Sequence, residues 1–378
     1  MERCVAALSG RRTTDGQSRF FDDVYEKLSA QGRAPELIIF TSDYDSFPDC
    51  TLMLHESFPE TQVVGVTSST NYSSDGLAEN ALSALAVYEG LECFTGVLED
   101  VSRCPIRCRG SADRALRELK YTDADKGRVC CLEFTTAYAP GTELALDTLG
   151  EVVGERDIPA FGSSAAVRRG TQRSRVSLNG KVCNEGCVFA FIRNLNGRIA
   201  LVHENTYRPA NRFFTVTGTD CERHKVTEID GRPAAAHLAA LFGVQIPELA
   251  RNAALHPIGR IYGERIYPAE IQSLEPDGSV RFRSYIYNYS RGVLLEPDDP
   301  GRVRERFLDG INGTGFRPGF SLAVNCAFDY DMFADKGLDE LSVKTFTEKC
   351  GCFLGVSGCG EQLYGHHVSK MMLLAAFE

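Results

Sequence analysis

The sequence predicts an α/β protein, two domains of mixed β-sheets flanked by helices, and three observations carry that prediction. A strand, helix, strand and returning strand occur three times in order, over 37–88, 129–192 and 321–377. In each unit the second strand reaches a glycine followed by hydroxyl residues: Gly65-Val66-Thr67-Ser68, Gly162-Ser163-Ser164 and Gly355-Val356-Ser357. From the start of the first strand to that glycine the distances are 28, 33 and 34 residues, the near-constant spacing of a repeated supersecondary structure. A helix joining two strands of one sheet makes them parallel neighbours with a right-handed crossover, while the last strand runs back antiparallel. The sheets are therefore mixed and covered by helices.

The elements follow from local pattern. A first helix over 18–30 places Phe20, Phe21, Val24, Tyr25 and Leu28 on one face. The first unit then reads as strand 37–40, helix 50–58, strand 63–66 and return 81–88, and the second as strand 129–134, helix 142–153, loop 159–164 and return 186–192. Charge, Gly and Pro replace periodic apolar residues over 107–111, 168–175 and 297–302, which read as linkers. Asn196-Gly197 is a turn signal, and it sets the expected boundary between domains 1–195 and 196–378. Strands 199–206 and 213–217 follow. Asp230-Gly231 turns the chain, and Pro233, whose missing N–H costs nothing at a first helical position, opens a helix over 233–242. Strands 266–273, 280–289 and 292–295 read as a meander, with Glu275-Pro276-Asp277-Gly278 as its first turn. A helix over 300–310 leads into the third unit, with its strand at 321–325, helix at 338–349, strand at 352–356 and return at 371–377. The last two runs are short and bounded by glycine or polar residues, so they read as buried strands whose pairing puts Ser357, Glu361, Gln362, His366 and His367 at one end of a sheet.

With 378 residues, 43% of them hydrophobic, the chain can build two cores. A net charge of -10 disfavours nucleic acid, whose phosphates need a basic surface. No apolar run approaches the ~20 residues that span a bilayer, and Met1-Glu2-Arg3-Cys4 has no charged-then-apolar signal. The expectation is a cytoplasmic protein with no membrane insertion. Its fourteen cysteines then read as free thiols acting as small buried hydrophobes. The pairs Cys104 and Cys108, Cys183 and Cys187, Cys350 and Cys352, and Cys130 and Cys131 lack the paired C-x2-C spacing of a zinc site, so no metal is expected.

Several segments, taken in order, resemble the FIST family of sensory proteins. They are Val64-Gly65-Val66-Thr67-Ser68, Phe161-Gly162-Ser163-Ser164-Ala165, Tyr207-Arg208-Pro209 before Val216-Thr217, and Glu228-Ile229-Asp230-Gly231-Arg232-Pro233-Ala234. The closing match runs from Phe353 through Gly360-Glu361-Gln362 to His367 and Met372. The resemblance implies a FIST N-terminal domain over 1–195 and a FIST C-terminal domain over 196–378. It also implies sensing of a small ligand such as an amino acid. Where the family tends to end in an H-x-N-Q-T-M-like stretch, this chain has His367-Val368-Ser369-Lys370-Met371-Met372. Two amides are lost and a lysine gained, which changes the hydrogen bonds that stretch can make. No kinase, cyclase or chemoreceptor module is recognised, so the expected output passes to a separate signalling protein such as a histidine kinase, cyclase or chemoreceptor.

Three chemistries suit the candidate residues. Gly-Ser loops at strand ends expose N–H groups and hydroxyls, making Ser68, Ser163, Ser164 and Ser357 candidate ligand contacts. Arg168 is the candidate partner for a ligand carboxylate and Glu361 for an ammonium, with Gln362 and His367 beside them. The competing structural reading has the glycines allow tight strand exits and the serines cap turns. Part of the family resembles haem-binding nitric-oxide sensors, and His55, His203, His224, His237, His256, His366 and His367 are the axial candidates if haem is bound. Finally, Gly355-Val356-Ser357-Gly358-Cys359 falls one glycine short of a G-x-S-x-G nucleophile motif, with His366 or His367 as base and Glu361 to orient it. The helix that motif requires directly after its serine is missing, and no catalytic residue is assigned.

Overall fold

The apolar runs that open each repeat become central strands because both of their faces find cover. A computed structural model describes residues 2–10, 17–138, 141–327 and 339–378. The first repeat is β1 (Cys4–Gly10), α1 (Gln17–Ser29), β2 (Leu37–Ser42), α2 (Phe47–Ser57), β3 (Gln62–Thr67), a hairpin β4 (Asn71–Ser73) and β5 (Gly76–Ala78), and the returning β6 (Ala81–Val87). The second repeats this order: β7 (Leu91–Leu98), α3 (Pro105–Glu118), β8 (Val129–Thr135), α4 (Thr142–Gly154), β9 (Ala160–Ser164), hairpin β10 (Val176–Leu178) and β11 (Lys181–Cys183), and β12 (Cys187–Asn194).

The third repeat begins with β13 (Ile199–Asn205) and is then interrupted by an insertion. Within that insertion lie β14 (Tyr207–Asp220), β15 (Lys225–Ile229), β16 (Arg232–Pro233), α5 (Ala234–Phe242), α6 (Ile246–Arg251), β17 (Ile258–Tyr262), β18 (Arg265–Ala269), β19 (Ile271–Leu274), β20 (Val280–Phe282) and β21 (Arg291–Pro297). The repeat resumes with α7 (Pro300–Asn312), β22 (Phe320–Cys326), α8 (Asp339–Cys350), β23 (Cys352–Gly358), hairpin β24 (Glu361–Leu363) and β25 (His366–Val368), and β26 (Met371–Phe377). The side chain of Phe20 and the expected helix start at Leu338 lie outside the described residues.

Each repeat builds a sheet in the same order of edge strand, return, first strand and second strand: β1-β6-β2-β3, β7-β12-β8-β9 and β13-β26-β22-β23. β2 with β3, β8 with β9 and β22 with β23 are parallel, as a helical crossover requires, and each first strand pairs antiparallel with its return. The second strand would be left with an open edge of unpaired N–H and C=O groups, a liability in water. Each edge is closed by a hairpin from another repeat. β4–β5 pairs with β23, β10–β11 with β3, and β24–β25 with β9. The three sheets are thus cyclically stitched.

Two compact units result. The first comprises Met1–His203, Glu305–His366 and Met372–Glu378, and the second comprises Glu204–Arg304 and His367–Met371. A single boundary at residue 196 is therefore corrected: the chain leaves the three-repeat unit just after that turn but returns to it, because the third repeat pairs with strands of the first two. The joint location of Ser357 with Glu361 and Gln362 on one sheet is also corrected, since the hairpin carrying Glu361 crosses to the second sheet. The expected linker at 107–111 lies inside α3, where Cys108, Ala112, Ala115 and Leu116 recur on a buried face while Arg109 reaches Glu151 of α4 and Glu155 just past its end. In the insertion, β19 and β20 form the expected hairpin, but β20 ends at Phe282 and pairs with β15 rather than with β21. The meander is closed instead through β14, which pairs with β21 on one side and β15 on the other.

Helices cover one face of each sheet. On the first, Phe21, Val24 and Leu28 of α1 and Phe47 and Leu54 of α2 pack on Val5, Ile38, Phe40, Val63 and Leu82. On the second, Ala112, Leu116, Leu149 and Val152 pack on Cys131, Ala160, Cys187, Phe189 and Phe191. Each fully buried Leu, Val or Phe contributes roughly 1.5–3 kcal/mol. In the insertion, Leu238 and Leu249 of α5 and α6 pack on Phe214, Val226, Ile258, Ile271 and Phe282.

Candidate functional site

The three motif glycines lie inside strands, not in loops. Gly65 sits between Phe40 and Ser177, Gly162 between Glu133 and Gln362, and Gly355 between Ala323 and Tyr72, in equivalent registers of the three sheets. A Cβ at Gly65 would run into the Phe40 ring, and one at Gly355 into the Tyr72 ring. At Gly162 it would meet the Glu133 carbonyl and the Gln362 amide oxygen. Glycine is needed there for close approach of a neighbouring side chain across the sheet. The reading of these segments as ligand-facing loops is corrected accordingly.

Only the second sheet fills this position with a carboxylate and an amide. Glu133 is fully buried on the face that α3 and α4 cover, and neither of its carboxylate oxygens has a hydrogen-bond partner among the described residues. Burial pushes its carboxyl up to about 8, so the neutral acid predominates at pH 7. Gln362 Nε2 donates to Thr135 Oγ1 at 2.5 Å and to Ser164 Oγ at 3.4 Å, and Thr135 and Ser164 share a hydrogen bond of 3.1 Å. The predicted residues Ser164 and Gln362 are thus brought together, with Glu133 as the neighbour sequence reasoning missed. Its signal was present as a lone acid in the apolar run Val129-Cys130-Cys131-Leu132-Glu133-Phe134.

The other serines serve chain connections. Ser68 Oγ donates to Thr70 O at 2.6 Å and accepts from the Ser357 N–H at 2.9 Å, while Ser357 Oγ bonds Ser69 Oγ at 2.9 Å. Ser163 Oγ donates to Ser164 O at 3.1 Å. Ser163 faces Glu361 across the β9–β24 pair, and both are fully buried. Arg168 is half-exposed and pairs with Asp45 at 3.2 Å. No described hydrogen bond or ion pair joins Arg168 to Glu361, so the two expected ends of a zwitterion site are not assembled by direct contact. Ser357 is followed by β24, not by a helix.

His367 belongs to the second unit, in a buried cluster that sequence reasoning did not foresee. Arg260 of β17 is buried and donates through Nη1 to Tyr285 O at 3.0 Å and through Nη2 to His367 O. Neither Arg260 Nε nor His367 Nε2 has a hydrogen-bond partner among the described residues. Burial, together with the nearby charges of Arg260, His224 and Arg283, lowers the His367 pKa to about 3, so its ring is neutral in the physiological range. Glu270 accepts from Arg283 Nε at 3.0 Å and lies 3.9 Å from Lys370 Nζ. Lys370, the lysine gained in the closing stretch, is fully buried with its ammonium over the Tyr207 ring. The segment Ser369 to Lys370 is held by Ser369 N to Pro268 O and by the Thr206 hydroxyl to Lys370 O. Buried polar groups are normally satisfied, and two unsatisfied nitrogens beside Arg283 and Lys370 make this an anion-seeking environment. Arg260 stood out in no sequence pattern, because its role depends on strands distant in the chain.

Among the described residues no group of three or more His, Cys, Asp or Glu side chains is placed to hold a metal ion. No described helix is long and apolar enough to cross a membrane. A family model described as the FIST N domain matches residues 37–232, more than half of the chain and past the expected domain end at 195. No curated protein matches the chain.

Proposed function

The chain belongs to the FIST family, associated with sensing and signal transduction, and from that premise we propose that it binds a small acidic ligand of amino-acid type in the second unit. One observation carries the reading: among the described residues buried Arg260 has no carboxylate partner and, like His367, keeps a ring or guanidinium nitrogen unsatisfied. A ligand carboxylate supplies the missing acceptor for Arg260, and the neutral His367 ring offers a hydrogen bond without adding charge. Lys370 and Arg283, tied to Glu270, set the local potential. In this reading Arg260 takes the part expected of Arg168. Residues Ser68, Ser163, Ser164, Ser357, Glu361 and Gln362 act as framework for the three-repeat unit. The occupied state is relayed to a separate partner such as a histidine kinase, cyclase or chemoreceptor.

Haem fits these residues poorly. A macrocycle needs an apolar slot beside its axial ligand, whereas His367, the one buried histidine among the described residues, is ringed by Arg260, Arg283 and His224. A hydrolase has no support from Ser357, whose hydroxyl bonds Ser69.

Calorimetric titration with an amino-acid panel tests the proposal. Arg260→Gln should weaken the binding ligand by ~1.5–3 kcal/mol, the range for a hydrogen bond to a charged group, while melts monitor the fold. Unchanged affinity in a folded Arg260→Gln protein rules the site out. A Soret band after purification with haem available overturns the ligand assignment.

A further inference from the structure

Helices α1 and α2 both end at a cleft of the three-repeat unit. Its volume is about 430 Å³, and it is lined by Ser29, the last residue of α1, by Arg33 and Ala34 in the connection to β2, and by Phe58, Pro59 and Glu60 just beyond α2. That volume lies within the range of small-molecule sites.

The guanidinium of Arg33 has one edge engaged and one edge without a partner. Nη1 donates to Glu89 Oε2 at 2.9 Å, and Cζ lies 5.8 Å from the centre of the Tyr88 ring. The other edge, Nε with Nη2, is shielded from water, and neither nitrogen has a hydrogen-bond partner among the described residues. Ser29 Oγ, on the same cleft, is shielded and without a partner in the same way. Shielded donors are normally satisfied, so three of them around one cleft call for an acceptor. Nε and Nη2 carry two parallel N–H groups, the fork that takes both oxygens of a carboxylate at once. The Arg33 side chain as a whole keeps 33% of its surface exposed, which leaves it within reach of a ligand entering the cleft.

The remaining walls narrow the class of ligand. Ala34, Phe58 and Pro59 supply apolar surface. Arg33 is the single cation among the lining residues, while Glu60 lines the same cleft and Glu89 already holds Nη1. The C-terminal ends of α1 and α2, the negative ends of their dipoles, lie there too. A second negative charge on a ligand would face these groups with no further cation to offset it. The cleft therefore disfavours phosphates and dicarboxylates and suits one carboxylate on an apolar body.

We propose that this cleft binds a small monocarboxylate with an aliphatic or aromatic body. Its two oxygens accept from Arg33 Nε and Nη2, the Ser29 hydroxyl serves as a third donor, and the apolar part lies against Ala34, Phe58 and Pro59. The site is separate from that of Arg260, which belongs to the second unit and takes an acidic ligand of amino-acid type.

The test uses the full chain, with isovalerate and phenylacetate as probes and isovaleramide and inorganic phosphate as controls. Saturation-transfer NMR should show both acids bound and the amide unbound, and excess phosphate should not displace isovalerate. Arg33→Lys keeps the charge but has no two-donor edge, so it should weaken isovalerate by roughly tenfold, the loss of one hydrogen bond to a charged group. Ser29→Ala should give a smaller loss, and thermal melts check that each variant folds. In the unmodified chain the backbone amide signals of Ala34 and Glu60 should shift on adding isovalerate, a readout that stands even if a variant folds poorly. No binding of either acid, equal binding of the amide, displacement by phosphate, shifts confined to residues outside the cleft, or unchanged affinity in a folded Arg33→Lys protein overturns the proposal.

Discussion

Replacing Glu133 with glutamine should change how the stability of the protein depends on pH, in a direction fixed by its burial. The carboxyl titrates at 4.5 when exposed in the unfolded chain and is pushed up to about 8 in the fold. Because the folded-state pKa is raised, the native state holds a proton that the unfolded chain releases. The associated stability is present in full below about pH 4.5 and is lost as pH rises toward 8. At ~1.4 kcal/mol per unit, the span amounts to up to about 5 kcal/mol. Glu133→Gln keeps the shape and removes the titration. Any cost of burying the amide is independent of pH, so the informative quantity is the difference in melting temperature between variant and wild type, followed from pH 5 to 8.5. Small at pH 5, it should move in favour of the variant by on the order of ten degrees by pH 8, given a few degrees per kcal/mol for a unit of this size. A difference that stays flat across the series refutes the neutral, buried carboxyl and with it the unpartnered placement of both oxygens.

Two further predictions test the stitched sheets. Gly355→Ala should destabilise by ~1–3 kcal/mol, because the new methyl overlaps the Tyr72 ring delivered by the first repeat's hairpin. The cost should shrink in a Tyr72→Ala background, and equal costs in both backgrounds contradict the β4–β23 register. Tyr72→Phe removes the 2.8 Å hydrogen bond from its hydroxyl to Asn325 Oδ1 and should lower stability by about 1 kcal/mol, read as a drop of a few degrees in thermal melts. An unchanged melt refutes that bond.

The repeats were legible in the sequence because their evidence is local. Strands 37–40, 129–134 and 321–325 are short runs dominated by apolar residues, and helix 142–153 carries Ala145, Leu146, Leu149, Val152 and Val153 at helical spacing. The return strand 371–377 appeared with the same bounds in the fold. Short elements were harder: β4, β10 and β24 are three residues each, too short to show alternation. Only tertiary structure decided where those hairpins go, since nothing in Glu361-Gln362-Leu363 distinguishes pairing with its own repeat from pairing with Phe161-Gly162-Ser163. The same limit governed the sites. Serine, histidine and arginine types could be read along the chain, but a serine that accepts a backbone N–H and a serine that faces a ligand have one letter. Arg168 and Arg260 look alike in sequence, and it is burial that separates them: one pairs with Asp45 at the surface, and the other is buried with a nitrogen that has no hydrogen-bond partner among the described residues.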